Sequence, residues 1–75
     1  MKRIKLNDYN YIKGLMGRRN VSHDEAREIH RIYATYCDGV RARVLDPTCS
    51  SCVPEMWSSV LSYINDENLI IEDEE

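Results

Sequence analysis

The chain has no phenylalanine and few glycines, and both shortages narrow the functions open to it. Its aromatic residues are five tyrosines and one tryptophan, so nearly every ring carries a polar atom and suits the edge of a core or an interface. The spacing of Gly14 and Gly17 matches neither a phosphate-binding loop nor a dinucleotide fingerprint. No Gly-rich turn offers an oxyanion hole beside a nucleophile and a base. We therefore predict that the chain is not an enzyme.

The chain also lacks long apolar runs and a strong net charge. No apolar run is long enough to span a bilayer, and residues 1–6 lack the hydrophobic stretch of a signal peptide. Three cysteines without an export signal indicate a reducing compartment, so we expect a cytoplasmic location. A net charge of −3 does not imply general affinity for nucleic acid.

The overall amino-acid composition predicts one small globular domain. Of the 75 residues, 43% are apolar and 31% are charged, which is typical of folded chains. We expect a single helical domain over residues 1–71 and an acidic tail over residues 72–75. A core of this size gives modest stability, so a metal, a partner or self-association is expected to contribute.

Two helices are predicted in the first half of the chain. Asn7 or Asp8 can cap the first, and Gly17 ends it. The strongest signal is Ser22 with Glu25, a capping box that begins the central helix. The end of that helix is left open between Asp38 and Pro47. Its predicted buried stripe comprises Ala26, Ile29, His30, Tyr33, Tyr36, Cys37 and, if the helix continues past Gly39, Val40 and Val44.

A third helix is predicted to begin around Pro54 and to end at Asn65 and Asp66. Its apolar positions recur at helical spacing: Val53, Met56, Trp57, Val60, Leu61 and Ile64. Residues 1–6 and 69–71 lean towards β structure, so the two termini can pair, the alternative being that both fray. The predicted fold class is a mostly α, compact three-helix domain with a short β pairing of its ends.

Cys49 and Cys52 are the only residues whose spacing is typical of a pair of metal ligands. Two thiolates three positions apart can reach one tetrahedral Zn²⁺. Further ligands would come from Cys37 or His30, with His23 and Asp46 as other candidates. The predicted cofactor is therefore none or one structural zinc. Two alternatives stay open: the cysteines pack a loop onto the helices, or they form a redox pair.

Two further residue sets are candidates for contacts with other molecules. Arginines in two turns can clamp a nucleic-acid backbone: Arg18, Arg19, Arg41 and Arg43. Amphipathic aromatic residues are candidates for a protein interface: Tyr9, Tyr11, Trp57 and Tyr63. The sequence favours a non-catalytic protein-binding or structural assembly module, with a protein partner or self-association and no membrane contact. The alternative is a small nucleic-acid-binding regulator, stabilised by zinc.

The pattern of residues 32–39, then the segment 47–53 with its Cys49 and Cys52, and a closing amphipathic helix resembles small proteins encoded by tailed bacteriophages. The resemblance implies a virion component or a phage-encoded helper, located in the virion or the host cytoplasm. It assigns a role to no individual residue.

Overall fold

A computed structural model describes residues 2–17 and 21–73 of the chain. Within them the elements follow in this order: β1 (Arg3–Lys5), α1 (Leu6–Leu15), α2 (His23–Ile32), a π-helical turn (Tyr33–Cys37), α3 (Gly39–Ala42), α4 (Cys52–Ile64) and β2 (Ile70–Glu72). The predicted fold class is confirmed: three longer helices and a pair of terminal strands form the domain. The four-residue α3 was not predicted.

The two terminal strands pair in parallel, with Arg3 opposite Ile70 and Ile4 opposite Ile71. Ile4 is fully buried, while Arg3 Nη1 lies 3.6 Å from Glu72 Oε2. Of the two alternatives that the sequence left open for the termini, pairing is therefore the one observed. Glu72, assigned to the tail from the sequence, lies in β2.

Helix α1 begins directly after β1, so the predicted cap at Asn7 or Asp8 is wrong. The cap residue is Lys5, which provides no side-chain capping bond. The Asp8 carboxylate instead accepts hydrogen bonds from Arg31 of α2 and Tyr36 of the π-helical turn, which leaves it unavailable as a cap. The predicted end is confirmed by Gly17, whose φ of 88° lies in the left-handed region that glycine adopts at low cost.

Helix α2 begins at the predicted capping box. The backbone N–H of Ser22 donates to Glu25 Oε1 at 2.8 Å, and the backbone N–H of Glu25 donates to Ser22 Oγ at 3.2 Å. The two bonds satisfy N–H groups that the first turn of a helix leaves unpaired. Ala26 and Ile29 then point into the core, as predicted.

A π-helical turn follows α2. Because of it, the buried residues differ from the buried stripe that an uninterrupted α-helix would have. The N–H of Asp38 donates to the carbonyl of Tyr33 at 3.0 Å, a bond that spans five residues instead of four. The wider turn ends at Asp38, whose carboxylate accepts from the N–H of Val40 and begins α3. The conditional extension of the stripe is therefore wrong: Val40 is 75% exposed and Val44 is 72% exposed.

The core lies between α4 and the other helices. Met56, Val60 and Ile64 of α4 are buried, as their spacing predicts. Ile32, which the predicted stripe omitted, is 1% exposed. His30, Tyr36 and Cys37, predicted to be buried in that stripe, are only half-buried at its edge.

Candidate functional site

The segment before α4 is a pair of turns that presents two cysteines at the surface. Asp46 Oδ1 accepts bonds from the backbone N–H and the hydroxyl of Thr48, at 2.8 and 2.7 Å. The N–H of Cys49 donates to the Asp46 carbonyl at 3.0 Å, and the N–H of Cys52 donates to the Cys49 carbonyl at 3.1 Å. Cys52 is also the first residue of α4. The turns therefore hold both thiols beside the N-terminus of that helix.

The two thiols have different acidities. Cys49 Sγ lies 3.2 Å from Ser51 Oγ, and hydrogen bonds from Ser51, then from Cys52, lower the pKa of Cys49 to about 7. For Cys52, a backbone hydrogen bond at Asp46 acts to lower the pKa. The hydrogen bond between Cys52 and Cys49 and the desolvation of Cys52 have a larger combined effect, so the pKa of Cys52 is raised. Cys49 is therefore the more readily ionised thiol of the pair.

Cys49 lines a cleft of about 370 Å³ between this segment and the start of α2. The opposite wall contains Val21 and His23, and Pro47 and Val53 add apolar surface. The Cys49 thiol can therefore be reached from solvent through a cleft whose walls are partly apolar.

His30, one of the predicted further metal ligands, binds backbone carbonyls. His30 Nε2 is 2.8 Å from the Ala42 carbonyl and 3.1 Å from the Leu45 carbonyl. Since carbonyl oxygens only accept, we infer that Nε2 carries a hydrogen and holds the end of α3. Throughout residues 2–17 and 21–73, no three His, Cys, Asp or Glu side chains converge on one point suited to an ion. The structure thus brings Cys49 and Cys52 together without a third ligand from this set, and structural zinc stays a prediction.

Cys37 lines a different cleft, of about 480 Å³, at the junction of the π-helical turn and α4. Lys2, Tyr36 and Tyr63 line the same cleft together with three serines of α4. Burial raises the pKa of the Cys37 thiol. The Cys37 thiol is therefore less readily ionised than that of Cys49.

The predicted interface tyrosines and Trp57 pack mainly within the domain. Tyr9, Tyr11, Trp57 and Tyr63 all contact the core while keeping part of their surface exposed. The Tyr63 hydroxyl donates to the Arg3 carbonyl at 2.7 Å and accepts from the Arg3 N–H at 3.1 Å. Tyr63 therefore anchors β1 to α4.

Sequence analysis missed a polar network that joins α1 to the helix after it. The Tyr36 hydroxyl donates to Asp8 Oδ2 at 2.6 Å, and Arg31 Nη2 donates to Asp8 Oδ1 at 2.7 Å. Burial, followed by the bond to Asp8, raises the pKa of Tyr36 to about 12. No local pattern could have revealed this network, because its members lie more than twenty residues apart.

Of the four arginines predicted to contact nucleic acid, the structure describes Arg41 and Arg43. Arg41 lies in α3, and its Nη2 donates to Glu55 Oε1 at 3.1 Å. Arg43 is exposed at the end of α3. Arg18 and Arg19 lie outside the described residues. Arg41 is therefore already paired with a carboxylate.

Val40 and Val44 form an exposed apolar pair, which we call the α3 patch. They lie four residues apart, near the start of α3 and just past its end. With three quarters of each side chain in water, they are the most exposed large apolar residues of the described chain. Neither residue contributes to the core, so the fold itself does not require their apolar character.

The chain matches no known protein family, no curated protein and no solved structure. Among the described helices, none combines the length and the apolar character needed to cross a membrane.

Proposed function

We propose that the protein is a non-catalytic binding module that docks onto a protein partner through the α3 patch. The observation that supports this proposal is the exposure of Val40 and Val44, at 75% and 72%. Fully burying one valine side chain contributes about 1.5–3 kcal/mol. Two valines on a capped helix thus offer an anchor that needs little reorganisation on binding.

The charges around the α3 patch define the partner's chemistry. Arg43 is exposed next to Val44, whereas Arg41 is occupied by Glu55. We expect the partner to present an apolar surface with a carboxylate at its rim, opposite Arg43. The phage origin implied by the resemblance makes a virion protein the expected partner, and this stays a prediction.

The test is mass spectrometry of proteins that co-purify with the tagged chain from its native source, with and without nuclease. The decisive comparison is between the wild type and the double variant Val40→Asp, Val44→Asp. A matched control, Asn7→Asp with Asn10→Asp, adds the same two charges at exposed positions of α1. Circular dichroism checks that both variants keep their helices.

A partner that survives nuclease, is retained by the α1 control and is lost by the α3 variant supports the proposal. Equal retention by both variants contradicts it. If nuclease removes every enriched protein, nucleic-acid binding replaces the proposal. If the enriched protein is a second copy of the chain, sedimentation of the purified protein should show a dimer. The proposal that the partner is a different protein would then be wrong.

A further inference from the structure

The turn that precedes α4 places two thiols three residues apart at the surface. The N–H of Cys52 donates to the Cys49 carbonyl at 3.1 Å, a bond between residues i and i+3 that keeps Cα atoms within about 7 Å. A disulfide requires Cα atoms about 4.4–6.8 Å apart. The backbone turn is therefore compatible with a bond between the two sulfurs.

The surroundings of the two sulfurs assign them different roles. Cys49 lines the cleft against Val21 and His23, where a second molecule can approach it. Cys52 does not line that cleft and begins α4. The Ser51 hydroxyl lies 3.2 Å from Cys49 Sγ and can donate to it when the thiol is ionised. A nucleophile at the cleft and a second thiol behind it are the two parts that thiol–disulfide exchange requires.

We infer that Cys49 and Cys52 form a thiol–disulfide exchange site, in which Cys49 attacks a small disulfide in the cleft and Cys52 resolves the product. This site is independent of the proposed binding function, because it uses neither Val40 nor Val44.

The exchange balances without a cofactor. The Cys49 thiolate attacks one sulfur of a disulfide RSSR; the S–S bond breaks, and one RS⁻ leaves and takes up a proton. The Cys52 thiol then loses its proton and attacks Cys49 Sγ, which displaces the second RS⁻. Two protein thiols are oxidised to one disulfide, and one small disulfide is reduced to two thiols.

The Ser51 hydroxyl, which can donate to Cys49 Sγ, favours the thiolate, the form that attacks a disulfide. Cys37 lines a different cleft and provides the internal comparison.

The first experiment is alkylation of the wild type by iodoacetamide at neutral pH, read at each cysteine by peptide mass spectrometry. We expect Cys49, whose thiolate the Ser51 hydroxyl can stabilise, to react at least about fivefold faster than Cys37. Equal rates at the two cysteines would overturn the inference, and this measurement needs no variant.

The second experiment incubates the chain with oxidised glutathione and measures the intact mass. The wild type and the matched control Cys37→Ser should each lose two hydrogens and retain no glutathione. Cys52→Ser should retain one glutathione at Cys49, and Cys49→Ser should retain none and form no internal disulfide. A wild type modified at Cys37, or a Cys52→Ser variant left unmodified at Cys49, would show that the pair is not an exchange site.

Discussion

The Asp8 carboxylate of α1 binds side chains of two later segments of the chain. Its side chain is 14% exposed and binds both Arg31 and Tyr36. Burial acts to raise the pKa of Asp8, but the hydrogen bonds from Arg31 and Tyr36 outweigh it and bring the pKa below 3.8. A lowered folded-state pKa stabilises the fold at pH values above the unfolded pKa. That contribution is lost as the pH falls through the folded pKa.

The variant Asp8→Asn should therefore lose stability at neutral pH and become less sensitive to acid. We expect the free energy of unfolding to fall by about 2 kcal/mol, the value of hydrogen bonds to a charged group. Below about pH 4 the difference from the wild type should shrink, because the wild type loses the same interaction by protonation. Urea unfolding at a series of pH values measures both effects.

The control for Asp8→Asn is Glu67→Gln, which removes one carboxylate from an exposed turn. Some acid sensitivity should persist in Asp8→Asn, because backbone hydrogen bonds from Thr48 and Asn68 also lower the pKa values of Asp46 and Asp66. An unchanged slope of stability against pH in Asp8→Asn would contradict the assigned role of Asp8.

At the scale of elements, the capping box determines where α2 begins. Ser22→Ala removes the oxygen that accepts from the Glu25 N–H at 3.2 Å, so we expect the free energy of unfolding to fall by about 1 kcal/mol. The matched control is Ser62→Ala on the exposed face of α4, where the change should stay within about 0.5 kcal/mol. Thermal and urea unfolding measure both. Equal losses in the two variants would show that the cap contributes nothing specific.

At the scale of the whole molecule, the pairing of β1 with β2 joins the N-terminal segment to the C-terminal segment. The N–H of Ile70 donates to the Lys2 carbonyl at 3.0 Å, and Ile4 is buried opposite Ile71. A chain that ends at Leu69 loses this pairing, so we expect its free energy of unfolding to fall by about 1–3 kcal/mol. Urea unfolding checks this against a chain that ends at Asp73. If both truncations unfold alike, the strand pair does not stabilise the domain.

Much of the fold could be predicted because its signals are local. Ser22 and Glu25 are three residues apart, and Met56, Val60 and Ile64 repeat at the period of one helix. Such patterns determine an element before any tertiary contact forms. The spacing of Cys49 and Cys52 likewise singled out the segment in which hydrogen bonds lower the pKa of a thiol.

The remaining features depend on residues that are distant in sequence. Whether the termini pair, and that they do so in parallel, is decided by how α1 and α4 pack, because strand direction is not encoded in residues 3–5 or 70–72 alone. The π-helical turn interrupts the helical stripe, and Val40 and Val44 lie in water. The sequence by itself determined the three longer helices, the capping box of α2 and the cysteine pair. Only the tertiary structure decided the Asp8 network, the α3 patch and the unequal environments of the three thiols, because each depends on packing between distant segments.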